Sequence, residues 1–181
     1  MRLLILQMQM TLDGFVGGPN GEVDWAFPGF NDEYAAWGAA ELWNASAHLM
    51  GRVTYHEMAA HWPTSTEPYA APMNDIPKIV FSHTLQRADW AETRIVAGDP
   101  GTEVARLKHD PGKPLLVHGG AKLARAMIRS GEVDVFRLIV HPVVLGKGRS
   151  LFDEIDEPRR LRLTDLRQFG TGVVAKTFIP A

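Results

Sequence analysis

The sequence holds no cysteine in its 181 residues. That excludes disulfides, thiolate nucleophiles and cysteine metal sites, and it suits a reducing, cytoplasmic setting. It has no excess of positive charge: 19 Lys and Arg against 21 Asp and Glu leave a formal net charge of −2. A nucleic-acid partner normally needs a basic face, so that class is set aside. No apolar run approaches the length of a membrane span. The opening stretch "MRLLILQMQM" is interrupted by Gln7 and Gln9 and reads as a buried strand rather than a signal peptide. Motifs for metals and nucleophiles are missing as well. There is no H-E-x-x-H, G-x-S-x-G, G-x-x-x-x-G-K-[ST] or G-x-G-x-x-G, and His56 and His61 are five apart, off a common helix face. No metal is therefore expected. What remains is an ordinary globular composition, 45% apolar and 22% charged, sized for one domain over residues 1–181.

Apolar runs bounded by Gly, Pro, Asp or Asn predict strands at 2–10, 47–50, 77–82, 93–97, 114–118, 133–141, 161–169 and 172–179. Helices are expected at 31–45, which opens on Asn and acids, and at 52–60, 101–109 and 120–130. Alternation of strand and helix predicts an α/β fold with a mainly parallel sheet and helices on both faces. The helix-free end predicts an antiparallel edge. Two segments resist regular structure: 11–30, with five glycines and two prolines, and 61–77, with four prolines. Each is read as a lid or substrate loop, or else as a surface excursion.

Three predicted strand ends carry residues suited to an anion. "GRVT" places Gly51, Arg52 and Thr54 at a strand-to-helix turn, where free N–H groups and a guanidinium meet phosphate oxygens. A plain helix cap with a solvated arginine is the alternative. "LLVHGGAKLARAM" repeats the grammar with Gly119 and Gly120 before a helix. "KIVFSHTL" puts Ser82 and His83 just past a third strand. No acid stands at these ends to take a ribose hydroxyl, which favours NADPH over NADH. One charge-assisted bond contributes roughly 1.5–3 kcal/mol, about 10- to 150-fold in preference.

Taken in order, "MTLDGFVGGPNGEVDW" (10–25), "GRVT", "IVFSHT", "LVHGGAKL" and "VHPVVLGKGRSLFD" (140–153) resemble the dihydrofolate reductase-like superfamily. The resemblance is closest to the C-terminal reductase domain of the bifunctional riboflavin-biosynthesis deaminase–reductase, and it spans essentially the whole chain. It implies the dihydrofolate reductase-like three-layer fold, NADPH, hydride transfer to a small heterocycle, and a homodimer. It also implies a cis peptide between Gly119 and Gly120. Carried over by position, Gly51, Arg52 and Thr54 meet the cofactor phosphates, with Arg52 and Ser82 on the adenosine side. Gly119, Gly120, Ala121 and Leu123 wrap the pyrophosphate, while Gln9, Met10 and Val16 hold the nicotinamide.

On the substrate side the candidates for a proton-donating acid are Asp24, Asp32 and Glu33, none of which aligns with the folate reductase carboxylate without a gap. Trp25, Phe27, Phe30 and Met58 are read as an aromatic wall for a flat ring or as core packing, with Trp25 and Met58 the chosen substrate contacts. Lys147 and Arg149 are read as phosphate-binding cations or as a solvated loop. Without cysteines no zinc deaminase activity is expected. The alternatives to the pyrimidinone-type reductase are a non-catalytic dimer binding NADPH or another ligand, and a reductase of dihydrofolate.

Overall fold

The computed structural model describes residues 1–153, 155 and 157–181. All eight apolar runs form strands: β1 (Leu4–Thr11), β2 (Ala47–Gly51), β3 (Lys78–Phe81), β4 (Thr93–Val96), β5 (Leu115–Val117), β6 (Val135–His141), β7 (Leu161–Gln168) and β8 (Val174–Pro180). They join one sheet in the order β4-β3-β2-β5-β1-β6-β8-β7. The first six are parallel, and the helix-free end of the chain supplies the antiparallel pairs β6–β8 and β8–β7.

The four expected helices are α1 (Asp32–Trp43), α2 (Arg52–His61), α4 (Pro100–Lys108) and α5 (Ala121–Ser130). Asn31 caps α1, its side chain accepting from the Tyr34 N–H, and Asp99 caps α4 in the same way through Thr102. The period-2 alternation of β1 divides the interior. Leu4, Leu6, Met8 and Met10 pack with Val104 and Leu107 of α4 and with Leu123, Ala124, Met127 and Ile128 of α5. On the opposite face Met50, Val80 and Leu116 pack with Leu42 of α1 and Tyr55 of α2.

One helix is not visible in the sequence. Within 61–77 a 3-10 turn (Trp62–Thr64) leads to α3 (Ala70–Asp75), and Pro72 and Met73 are buried. This half of the segment is core, not a lid. Its last carbonyls, those of Met73 and Asn74, accept from the buried Lys78 ammonium at 3.2 and 2.6 Å, as a cation at a helix C-terminus should. Within 11–30 the structure forms a 3-10 turn over Asp24–Gly29. The apolar run 135–145 supplies β6 between β1 and β8. "RRLRL" enters the exposed edge strand β7. Among the described residues no helix is long and apolar enough to cross a membrane.

Candidate cofactor and substrate site

The two predicted glycine turns meet. β2 and β5 are neighbours, yet α2 leads from β2 to β3 on one side while α5 leads from β5 to β6 on the other and covers the opposite face. Adjacent strands whose helices depart in opposite directions form a switch point, where open α/β sheets bind ligands. Gly51 N–H donates to the Gly119 carbonyl at 3.3 Å, and Gly120 N–H donates to Thr54 Oγ1 at 2.8 Å. The Gly119–Gly120 peptide is cis.

Both helix starts lack a capping side chain, and neither has an acid in its first turn. Their leading N–H groups therefore have no intrahelical acceptor and carry the positive end of the helix dipole. Space beyond Gly51 is open: a Cβ there would meet nothing within 4 Å. Arg52 and Lys122 are exposed at these two starts, with no acidic partner among the described residues. Anion-binding N–H groups, open space and unpaired cations thus coincide. Leu123 is buried in the core, so only its backbone can face a ligand.

Gly51 pairs in register with Phe81, which brings Ser82 and His83 alongside. Ser82 Oγ accepts from the Thr84 and Leu85 N–H groups, so its hydroxyl caps a turn and keeps its own proton to donate. His83 is exposed. From β3 across β2 and β5 to β1 the strand ends span three spacings, about 14 Å, a path along which an extended dinucleotide can lie.

At the β1 end the expected trio separates. Met10 and Val16 turn into the α5-side core, while Gln9 lies on the α1 side. As side chains the three form no common wall, so a shared role would be through backbone. The Gln9 amide joins two groups that the sequence did not mark as functional. Its Nε2 donates to the Tyr34 hydroxyl at 2.6 Å, and His141 Nε2 donates to its Oε1 at 2.6 Å. Burial pushes Tyr34 up to about 12 and His141 down to about 4, so both are neutral at ordinary pH.

The glycine-rich segment after β1 is clasped to the loop after β6. Asp13 accepts from the Thr11 hydroxyl at 2.6 Å and from the Leu145 and Gly146 N–H groups at 3.1 and 2.7 Å. The Thr11 hydroxyl, then those amides, hold its carboxyl below the usual range. Val16 N–H donates to Arg149 O and Arg149 N–H to Gly17 O, each at 2.8 Å. Lys147 and Arg149 are exposed on that loop.

None of the candidate acids lies beside Gln9. Asp24 and Asp32 are exposed, and Glu33 points to the β7–β8 hairpin, 3.6 Å from Arg167. Each sits on the outer side of a helical first turn, where its charge suits the dipole. Trp25 and Phe30 do reach the site, edge-on to His141 with ring centres at 5.4 and 5.9 Å. Phe27 and Phe30 are exposed rather than core. Met58 packs instead against the cluster of Leu42, Tyr55 and Trp90, so it does not share a wall with Trp25. Among the described residues no group of three His, Asp or Glu could hold a metal ion.

The sequence profile of the RibD C-terminal domain matches residues 2–175. The Bacillus subtilis protein YyaP is 35% identical over 182 residues, covering 96% of this chain and 92% of its own. A Shewanella protein ascribed to riboflavin biosynthesis superposes with a TM-score of 0.80 at 20% identity, over 99% of both chains. A Thermotoga maritima diaminohydroxyphosphoribosylaminopyrimidine deaminase/5-amino-6-(5-phosphoribosylamino)uracil reductase gives 0.70 at 17% identity. That alignment covers 99% of this chain and 57% of the larger protein.

Proposed function

We propose, on the premise that this chain belongs to the RibD C-terminal domain family, that it is an NADPH-dependent reductase of a small oxygenated heterocycle of the pyrimidinone kind. The observation that carries this reading is the pair of uncapped, acid-free helix starts meeting at the β2–β5 switch point with Arg52 exposed beside them. The donor set fits a dinucleotide phosphate. Backbone N–H groups at Ala121 to Leu123 and at Arg52 to Thr54 would take the pyrophosphate, and Arg52, Ser82 and His83 the adenosine-side phosphate.

Bound NADPH supplies a hydride from C4 of its nicotinamide, and the chemistry of that transfer belongs to the cofactor. The chain supplies position and protonation state. The end of β1 sets the nicotinamide end of the path against Gln9 and Tyr34. With Asp24, Asp32 and Glu33 on the surface, the Tyr34 hydroxyl or a water molecule is left to provide a proton. That exposure is also the observation favouring a second reading, a binding protein that holds NADPH without turnover. It removes the support for dihydrofolate as substrate.

Calorimetric titration of NADPH and NADH into wild type and Arg52→Ala tests the cofactor assignment. Wild type is expected to prefer NADPH by at least about tenfold, the value of one charge-assisted bond, and the variant to lose that preference. If neither nucleotide binds, the glycine turns are only turns.

A further inference from the structure

We propose, resting on the reductase reading, that the Tyr34 hydroxyl and His141 Nδ1 form a donor–acceptor pair that recognises the substrate ring, and that Phe30 fills the ring's place until it binds. His141 is 1% exposed, and its Nδ1 is the buried side-chain polar atom left without a hydrogen-bond partner among the described residues. The tautomer follows from the partner. Nε2 faces the Gln9 carbonyl oxygen, which only accepts, so Nε2 carries the hydrogen and Nδ1 a bare lone pair. A buried acceptor left unpaired costs about 1–3 kcal/mol, and a ligand donor would remove that penalty.

At the other end of the same amide, the Tyr34 hydroxyl oxygen accepts from Gln9 Nε2, while the Tyr69 hydroxyl donates to the Tyr34 main-chain carbonyl at 3.4 Å. The proton of Tyr34 is therefore left to donate. One neutral donor and one neutral acceptor, fixed by a single glutamine, complement a heterocycle bearing a ring N–H and a carbonyl. They do not complement a cation or a phosphate.

The space for such a ring is filled by the protein itself. Phe30 lies parallel to Tyr34, with ring centres 4.9 Å apart and planes within 8°, and meets His141 edge-on. A flat substrate stacked on Tyr34 would take the same geometry. The backbone closes over the same atom, since a Cβ on Gly29 would stand 2.6 Å from His141 Nδ1. Trp25 lies in, and Phe30 caps the end of, one six-residue 3-10 turn, a tight and poorly bonded form, with Pro28 inside it and Phe27 60% exposed. The turn is tied outward through Thr171 Oγ1 to Gly29 O at 2.9 Å and through Trp25 Nε1 to Glu22 O at 3.0 Å. It can lift as a unit and expose the pair.

The test uses NADPH-saturated protein labelled with 15N-histidine and two probes, uracil and 1,3-dimethyluracil. Both are flat and carry carbonyls, but the dimethyl compound has no N–H. Uracil is expected to move the His141 Nδ1 resonance, and 1,3-dimethyluracil to leave it in place. His141→Phe is expected to weaken uracil binding at least tenfold with NADPH affinity unchanged. Phe30→Ala, at an exposed position, is expected to tighten uracil binding at least threefold. The inference is overturned if uracil does not bind the NADPH-loaded protein, if it binds without moving Nδ1, or if neither substitution changes its affinity. NADPH binding is read separately, so loss of the reductase reading shows as failure of the cofactor titration itself.

Discussion

Replacing Gly119 by alanine is expected to weaken NADPH binding about tenfold or more and to lower stability by about 1–3 kcal/mol. Gly119 has φ +93°, a region that side chains rarely adopt, and its Cβ would stand 3.0 Å from Met8 Sδ. Relief of either conflict moves the peptide that joins Gly51 to the start of α5. A shift that costs one charge-assisted hydrogen bond to phosphate removes roughly 1.5–3 kcal/mol of binding, or about 10- to 150-fold. Gly170→Ala, in the β7–β8 hairpin at the far edge of the sheet, is the matched control, because its φ lies outside the left-handed region and a Cβ there meets nothing within 4 Å. Titration of the two variants side by side checks the point. Equal affinities would mean that the glycine conformation does not hold the cofactor.

Between pH 6.5 and 4.5 the protein is expected to lose at least about 3 kcal/mol of stability, the share of one fully shifted ring over two pH units, through histidines buried as neutral rings. His118 Nε2 and His48 Nδ1 are 2.8 Å apart, and His48 Nε2 donates to the Pro72 carbonyl at 3.1 Å. Burial is the largest cause lowering each ring: His48 and His141 fall to about 4, and His118 falls well below its ordinary value. Each pKa is depressed in the folded state, so between about 4 and 6.5 the unfolded chain binds the extra proton. Stability is then complete above pH 6.5 and declines as pH falls, by about 1.4 kcal/mol per unit for one fully shifted group. The carboxyl of Glu103, held near 2 by Arg106 and Arg94, contributes a loss only below this window. Urea denaturation at pH 7.5, 6.5, 5.5 and 4.5 checks the expectation. A stability flat to pH 4.5 would contradict it.

The strands and four of the helices were legible because their signals are local. Gln9 to Met10 and Ile139 to His141 sit in apolar runs whose ends are marked by turn residues or prolines. α3 was not legible because its segment carries four prolines, and Pro72 is tolerated in its first turns. What placed Pro72 and Met73 in the core is the capping ammonium of Lys78 and the packing on Leu42 and Trp90, neither of which a window of sequence contains. The meeting of the two glycine turns was foreshadowed because each turn announces itself in the sequence. The ring-facing half of the candidate site was not. Gln9, Tyr34 and His141 are 25 and 132 residues apart, and they meet only through the β1–β6 register, which pairs Thr11 with His141 and puts both strands' polar residues beneath α1. Tyr34 at helical spacing reads as core, and His141 closes a mostly apolar strand. The polar end of that run was the one available signal. The acids failed for a related reason: Asp32 and Glu33 open α1 for its dipole, and the helix turns Tyr34 inward in their place.

The most direct measurement is a map of backbone amide shifts as NADPH is titrated into the 15N-labelled protein. The account places the largest changes at Gly51 to Thr54, Ser82 to His83 and Gly119 to Leu123, with smaller ones at Gln9 to Thr11. Changes centred instead on the groove of about 310 Å³ lined by Tyr55, His56, Arg87 and Trp90, with the glycine turns unmoved, would contradict it.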